Sequence, residues 1–308
     1  MPVYEDATAS GYLFDELAKQ FGTSLYLIVV DDGSVREPVQ PSRLENAGLR
    51  GEVLRLKRNV GHQRAMAIGL SHSTNVNGPE TRVVAMDSDG EDLPSTIPAL
   101  LLALNAPDVD IVVAQRRSRV ESFRFKLFYA VYKLLFKLLT GRVISFGNFM
   151  AMKPSAVRRL VCMQELGIHV AGAALLSKLR LAYEPLDRGP RYAGQSKMNF
   201  VGLALHGFKA LMVFAEDVLV RVGIACAGVA FFTVIASVFV VLLKVLEIAL
   251  PGWASIALGI LLLAFLQTGA LTLMTLMLTG IVRSNTVALV DYERFIDVVC
   301  YVRTAPTS

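Results

Sequence analysis

The chain has 308 residues and a formal charge of +5; 54% of its residues are hydrophobic, only 19% are charged, and its mean hydropathy is +0.50. That balance excludes a disordered, collagen-like or disulfide-scaffold chain and argues against an ordinary soluble enzyme. Three widely spaced cysteines (Cys162, Cys226 and Cys300) form neither a zinc pattern nor a disulfide framework, and the modest positive charge fits a nucleotide-sugar binder or a protein on anionic lipid without choosing between them.

Residues 1–20 carry Glu5, Asp6, Asp15 and Glu16 and no apolar core, so no secretory signal is expected there. The apolar spacing predicts a helix over 9–21, followed by a buried-strand run over 24–30 that ends in Asp31-Asp32-Gly33-Ser34. Further strands are predicted over 52–56, 82–86 and 111–114, and further helices over 62–73 and 94–104. The 82–86 strand ends in Asp87-Ser88-Asp89-Gly90. Alternating strands and helices predict an α/β domain with a mostly parallel sheet, whose ligands gather at the C-terminal ends of the strands. Both acidic clusters fall at such ends.

Residues 123–140 read as a helix with Lys126, Lys133 and Lys137 along one stripe; residues 199–214 are apolar around most of a helical circumference. Basic amphipathic helices of this kind lie in a lipid interface, and packing onto the sheet is the alternative for the first. Residues 222–243 and 254–282 contain no charged residue at all. At about 1.5 Å per helical residue each run can cross a hydrocarbon core roughly 30 Å thick, which predicts two transmembrane helices. The joining loop, 244–252, is too short for a domain, so both ends of the pair return to one side. The larger basic load lies on that side, which the positive-inside rule makes cytoplasmic.

Three loops could carry chemistry. Asp87 and Asp89, two residues apart just past a strand, can converge on a hard divalent cation, with Glu91 as a third oxygen ligand; the alternative is a solvated loop opening the next helix. Oxygen donors without a neighbouring histidine or cysteine suit Mg²⁺ or Mn²⁺ rather than zinc. Asp31 and Asp32 could accept hydrogen bonds from a base or ribose, or could simply end the strand in a turn. The run from Arg188 through Arg191 and Ser196 to Lys197 offers three cations and a hydroxyl to phosphate oxygens or to lipid headgroups. His62 and Arg64 open a helix after Asn59-Val60-Gly61, a place suited to an anion.

In their order, Pro2-Val3-Tyr4-Glu5, Val30-Asp31-Asp32-Gly33-Ser34, Asn59-Val60-Gly61-His62, Met86-Asp87-Ser88-Asp89 and the Arg188–Lys197 run resemble the family 2 glycosyltransferases that charge polyprenyl phosphates. Dolichyl-phosphate mannose synthase and bacterial undecaprenyl-phosphate glycosyltransferases belong to that group. The resemblance implies a GT-A (Rossmann-like) catalytic domain over 1–198, an interfacial helix over 199–221, two transmembrane helices within 222–282 and a cytoplasmic tail over 283–308. It further implies inverting transfer of a hexose, from a UDP-sugar by analogy, to polyprenyl phosphate at a bacterial cytoplasmic membrane. A homo-oligomer and the lipid bilayer are implied partners, and nucleic acid is not.

Residue by residue, the resemblance puts Pro2, Tyr4, Glu5, Asp31 and Asp32 around the nucleotide, and Asp87, Asp89 and Glu91 around the metal. Arg188, Arg191, Ser196 and Lys197 would meet the donor diphosphate and the acceptor phosphate, with Arg117 a further acceptor contact. Asp89, Arg117, Arg191 and Lys197 form the implied catalytic set. Three departures from the family pattern stand out. The family's first strand precedes the Pro-Val-Tyr stretch, so here it is either missing or cut off by a late start; Glu91 replaces a glutamine; and Asn148 stands where many relatives carry an aspartate, so no general base is carried over to it. A processive polysaccharide synthase shares the Asp-x-Asp. However, it usually carries a Gln-x-x-Arg-Trp motif, and the single tryptophan here, Trp253, lies at a membrane edge. A membrane scaffold with an inactive transferase fold is the non-enzymatic alternative.

Overall fold

The computed structural model describes residues 1–76, 78, 80–116, 123–143, 146–193, 200–248, 250–284 and 291–302. In chain order its elements are β1 (Pro2–Val3), α1 (Ala7–Phe21), β2 (Tyr26–Asp31), α2 (Pro41–Asn46), β3 (Arg50–Leu56), α3 (His62–Val76) and β4 (Val83–Ala85). There follow α4 (Ile97–Leu104), β5 (Ile111–Arg116), α5 (Phe123–Thr140), β6 (Met150–Met152), α6 (Pro154–Val161), α7 (Val170–Leu176), β7 (Leu181–Leu186) and α8 (Phe200–Val213). The chain continues through α9 (Ala215–Val245) and α10 (Trp253–Ser284) and returns as β8 (Ile296–Val302).

These elements form two compact units, the first comprising Met1–Phe128, Ile144–Val213 and Ala288–Ser308. It holds two four-stranded sheets, ordered β1-β2-β3-β8 and β4-β6-β5-β7. Pairings β1–β2, β2–β3 and β5–β7 are parallel, whereas β3–β8, β4–β6 and β5–β6 are antiparallel. The expected mostly parallel sheet is therefore evenly mixed. The strands that change the balance are β6, which runs between β4 and β5, and β8, which comes from the segment read as a tail. The first strand is a two-residue pairing, Pro2 opposite Val30 and Val3 opposite Asp31.

The apolar faces explain the packing. α1 buries Leu13, Phe14 and Leu17 at helical spacing against Val29 of β2, Val53 of β3 and Val302 of β8. Each such side chain stabilises the fold by about 1.5–3 kcal/mol through burial. Met66 and Leu70 of α3 pack with Ile111 and Val113 of β5, Met150 and Met152 of β6, and Leu160 of α6. These contacts bring the ends of β2 and β4 and the start of α3 into one unit, which is where the candidate site lies.

The second unit comprises Tyr129–Val143 and Phe214–Val287. Its helices α9 and α10 are long and apolar enough to cross a membrane, by length and composition, and almost nothing in them is buried. Within this unit Phe136 of α5 meets Phe214 edge-on at 5.7 Å, and the Arg142 guanidinium lies 5.1 Å from the Phe214 ring centre. Gly141 ends α5 at φ +73°, and a Cβ there would come within 2.5 Å of the Arg221 guanidinium. Val131, Leu134, Leu135 and Leu138 of α5 are exposed at helical spacing opposite buried Phe136. In the first unit α8 likewise exposes Leu205, Phe208 and Met212.

Candidate active site

At the end of β2 the acidic pair is fully engaged by backbone donors. Asp31 accepts the N–H of Ser34 and of Val39, both at 2.9 Å. Asp32 accepts the N–H of Val60 at 2.7 Å and of Gly61 at 3.0 Å, tying the β3–α3 loop to β2. Burial raises the Asp32 carboxyl, and the two N–H donors and His62 oppose that rise. Gly33 permits the turn at φ +70°, where a Cβ would lie 2.5 Å from the Arg58 backbone carbon. Asp31 is 0% and Asp32 2% exposed. Both carboxylates thus brace the surrounding loops.

Glu5 acts the same way nearer the surface. Its carboxylate accepts the N–H of Val35 (2.8 Å), Arg36 (3.1 Å to each oxygen) and Glu37 (2.8 Å). The Val35 N–H, followed by that of Arg36, holds its carboxyl below the usual range. Tyr4 is exposed beside it, and Pro2 belongs to the sheet edge.

At the end of β4 the partners are cations instead. The His62 Nε2 stands 3.1 Å from Asp87. Arg191 contacts Asp89 at 3.3 Å, forms a close ion pair with Asp6, and donates to the Ala193 carbonyl at 2.9 Å. Arg188 forms a close ion pair with Glu91 and lies 4.0 Å from Asp92. Two backbone bonds fasten the loops together, from Gly189 N–H to the Glu91 carbonyl and from Tyr192 N–H to the Asp89 carbonyl, both 3.0 Å. Gly90, at φ +83°, leaves room for the Tyr192 ring, which a Cβ would meet at 2.2 Å. The basic and acidic loops, read separately in the sequence, are one structure.

Asp89 is held above the usual carboxylate range by burial, then by the charges of Asp87 and Glu91, against the Glu91 N–H and Arg188. Asp92, which accepts the Asp87 N–H at 3.0 Å, is pushed up to about 7 by burial and by Asp87. At His62 burial lowers the pKa, but the hydrogen bond and charge of Asp87 outweigh it and the net shift is upward. Asn148 contacts His62 at 3.2 Å and accepts from Gln63 at 3.3 Å, while Gln63 in turn accepts the Val170 N–H at 2.7 Å. This chain from Asp87 to α7 was not expected from the sequence; only the acid of Asp87 and the helix start at His62 signalled its ends.

Oxygen-only donors that repel one another at a strand end suit a hard divalent cation. Asp87, Asp89 and Glu91 each face a basic side chain, His62, Arg191 and Arg188 in turn. Among the described residues no three acidic, histidine or cysteine side chains converge as a metal cage, so a cation here would take its remaining ligands from a bound diphosphate and water. Arg117, Ser196 and Lys197 lie outside the described residues.

The model of glycosyl transferase family 2 matches residues 1–167, which spans both acidic loops, His62 and Asn148. The chain belongs to glycosyl transferase family 2. Its fold is GT-A, as in glucosyl-3-phosphoglycerate synthase from Mycobacterium tuberculosis in complex with Mg²⁺ and UDP, which superposes with a TM-score of 0.51 at 17% identity over 70% of this chain and 77% of that one. An uncharacterized glycosyltransferase of Bacillus subtilis, YkoT, is 26% identical over 246 residues, 78% of this chain and 71% of its own. The dodecaprenyl-phosphate galacturonate synthase of Rhizobium johnstonii is 27% identical over 125 residues, 39% of this chain and 35% of its own.

Proposed function

We propose that this family 2 member transfers a hexose, with inversion, from a UDP-sugar to a polyprenyl phosphate at the inner face of the bacterial cytoplasmic membrane. The observation that carries the reading is Arg191, bridging Asp89 and Asp6 on a loop bonded to the Asp-x-Asp turn. Those carboxylates occupy guanidinium groups that a diphosphate or a lipid phosphate would claim with stronger charge-assisted bonds. The name of the Rhizobium relative supports a polyprenyl acceptor, and the UDP bound by the solved synthase supports the donor.

Asp87 and Asp89 would hold Mg²⁺ or Mn²⁺, which when bound neutralises charge on the leaving diphosphate. His62, fixed by Asn148 and Gln63, orients Asp87. Arg188 and Arg191 exchange their carboxylate partners for phosphate oxygens and draw the two phosphates together. The acceptor phosphate, with a second pKa near 6, is largely dianionic at neutral pH and needs no protein base. Its oxygen forms a bond to the anomeric carbon as the bond from that carbon to the nucleoside diphosphate breaks, so a neutral Asn148 is compatible with turnover. The main contribution of the protein is alignment and charge stabilisation.

The same reading makes α9 and α10 a membrane-spanning pair. Residues on both sides of the pair belong to the first unit, so two crossings with the 246–252 loop on the far side satisfy the connectivity. Exposed apolar stripes on α5 and α8 are suited to the lipid interface.

The test is a donor screen with the purified full-length protein and undecaprenyl phosphate in vesicles, read by mass spectrometry of the lipid. One UDP-sugar is expected to give a lipid-linked monosaccharide in Mg²⁺ or Mn²⁺ and none in EDTA. Nucleotide-sugar binding without any lipid product across the screen would overturn the assignment.

A further inference from the structure

Arg191 is held from three sides, and each side engages a different nitrogen of its guanidinium group. Nε donates to the Ala193 carbonyl at 2.9 Å, Nη1 faces Asp89 at 3.3 Å, and Nη2 forms the close ion pair with Asp6. The three partners are not equivalent. Asp89 belongs to the Asp-x-Asp pair on which a divalent cation would draw, so its hold on Nη1 lasts only until a cation is bound. The Ala193 carbonyl lies in the same loop as Arg191, whereas Asp6 lies 185 positions earlier, at the start of α1.

Asp6 forgoes a local bond to make this distant one. It occupies the N-cap position of α1, where an aspartate ordinarily accepts an N–H of the first turn, but its side chain makes no such bond. The residue before it, Glu5, adopts φ +47°, a left-handed conformation that a side chain disfavours. The Glu5 carboxylate reaches the N–H groups of Val35, Arg36 and Glu37 while that of Asp6 reaches Arg191, so two adjacent acids serve two different loops. A cap left unmade and a disfavoured turn beside it mark a contact that local preference does not produce. The pair is also shielded, with the Asp6 side chain 15% and the Arg191 side chain 18% exposed, so salt screens it little. The backbone next to Arg191 is fixed by the Tyr192 N–H on the Asp89 carbonyl. With Nε and Nη2 engaged on that fixed backbone, Nη1 is the nitrogen left to turn to a ligand.

We propose that Asp6 is a positioning residue for the transfer reaction. It keeps hold of Nη2 before and after the donor binds, so that Nη1, once Asp89 turns to the cation, is already aimed at the donor diphosphate. An arginine placed in advance loses less rotamer freedom when it meets a phosphate oxygen. The inference rests on the diphosphate reading of Arg191 and narrows it: of the two carboxylates, only Asp89 is exchanged.

The test is titration calorimetry of UDP in the presence of Mn²⁺ on the full-length protein in detergent micelles, without lipid acceptor. It is run at a temperature where circular dichroism shows every variant folded. Asp6→Ala is expected to weaken binding by about ten-fold, through the loss of a shielded charge-assisted hydrogen bond that orients the guanidinium. Asp6→Asn keeps the shape and an acceptor oxygen without the charge, is expected to bind with intermediate affinity, and carries the comparison if the alanine variant does not fold. In an Arg191→Gln chain, Asp6→Ala is expected to weaken binding no further, because its effect passes through the guanidinium. Tighter or unchanged binding in Asp6→Ala would mean that Asp6 competes with the diphosphate or has no part in holding it. An equal loss with and without Arg191 would mean that Asp6 braces the fold or touches the nucleotide itself. Each of these results overturns the proposal. A native chain that binds UDP yet gives no lipid product in the donor screen loses the acceptor reading alone; one that binds no UDP loses the donor reading, and this proposal with it.

Discussion

The two acidic clusters look alike in the sequence, each a pair of aspartates at the end of a buried strand, yet the fold uses them in opposite ways. Asp31 and Asp32 are ringed by backbone N–H groups of Ser34, Val39, Val60 and Gly61, which cannot leave without unfolding a loop. Asp87, Asp89 and Glu91 face the side chains of His62, Arg191 and Arg188, which swing on rotatable bonds. Fixed donors make a carboxylate part of the frame; exchangeable donors hold it ready for a ligand. On the proposed reading, the kind of donor, more than the acid itself, separates scaffold from site.

The largest expected difference is in activity. Asp89→Asn is expected to lower turnover by about 10²-fold or more, close to 3 kcal/mol of transition-state stabilisation. Its melting temperature should stay level or rise, because burial already disfavours the charged form of this carboxyl. Full turnover of the variant in the donor assay would erase the contrast between the clusters.

Asp32→Ala should do the reverse. It leaves the Val60 and Gly61 N–H groups without their acceptor, at a cost of about 2–3 kcal/mol in stability. Whatever activity survives should scale with the folded fraction in a melt monitored by circular dichroism. A selective loss of nucleotide affinity with an unchanged melt would move Asp32 from frame to site.

The smallest effect calibrates the scheme at a carboxylate with both kinds of donor. Asp110 accepts the Arg180 backbone N–H at 3.0 Å and its guanidinium at 3.0 and 2.8 Å. The guanidinium hydrogen bonds lower its pKa to about 2. A carboxyl depressed on folding contributes stability above its unfolded pKa near 4, and that contribution fades as pH falls from about 4 to 2. Arg180 is 58% exposed, so solvent screening keeps the contribution small. The native chain should therefore be slightly more stable than Asp110→Asn at pH 7, and the gap should vanish near pH 2 in urea melts. A gap that persists in acid would mean that packing rather than charge holds this corner.

The strands ending in each acidic cluster were legible because their runs, Leu27 to Val30 and Val83 to Ala85, are apolar and bounded by acid and glycine. The long charge-free helices were legible for the same local reason. What escaped depends on distant pairing. β8 is a seven-residue strand whose partner β3 lies more than 240 positions earlier, and nothing local in Ile296–Val302 names that edge. The approach of Arg188 to Glu91 and of His62 to Asp87 likewise follows from how α3, β4 and the loop after β7 pack. Charge on each loop could be read from the sequence, but their mutual neutralisation could not.

Because β8 pairs with β3 only after the chain has passed through α9 and α10, the order of synthesis differs from the order of packing. While the ribosome is making the apolar pair, the outer edge of β3 has its own N–H and C=O groups but no neighbour. An unpaired edge of that kind invites the wrong strand from another nascent chain. On the membrane-spanning reading proposed above, the sheet closes only once the pair has been handed to the membrane, which makes insertion and completion of the first unit successive steps of one maturation. A nascent chain that stalled between them would carry an open edge as a sign that its assembly was unfinished.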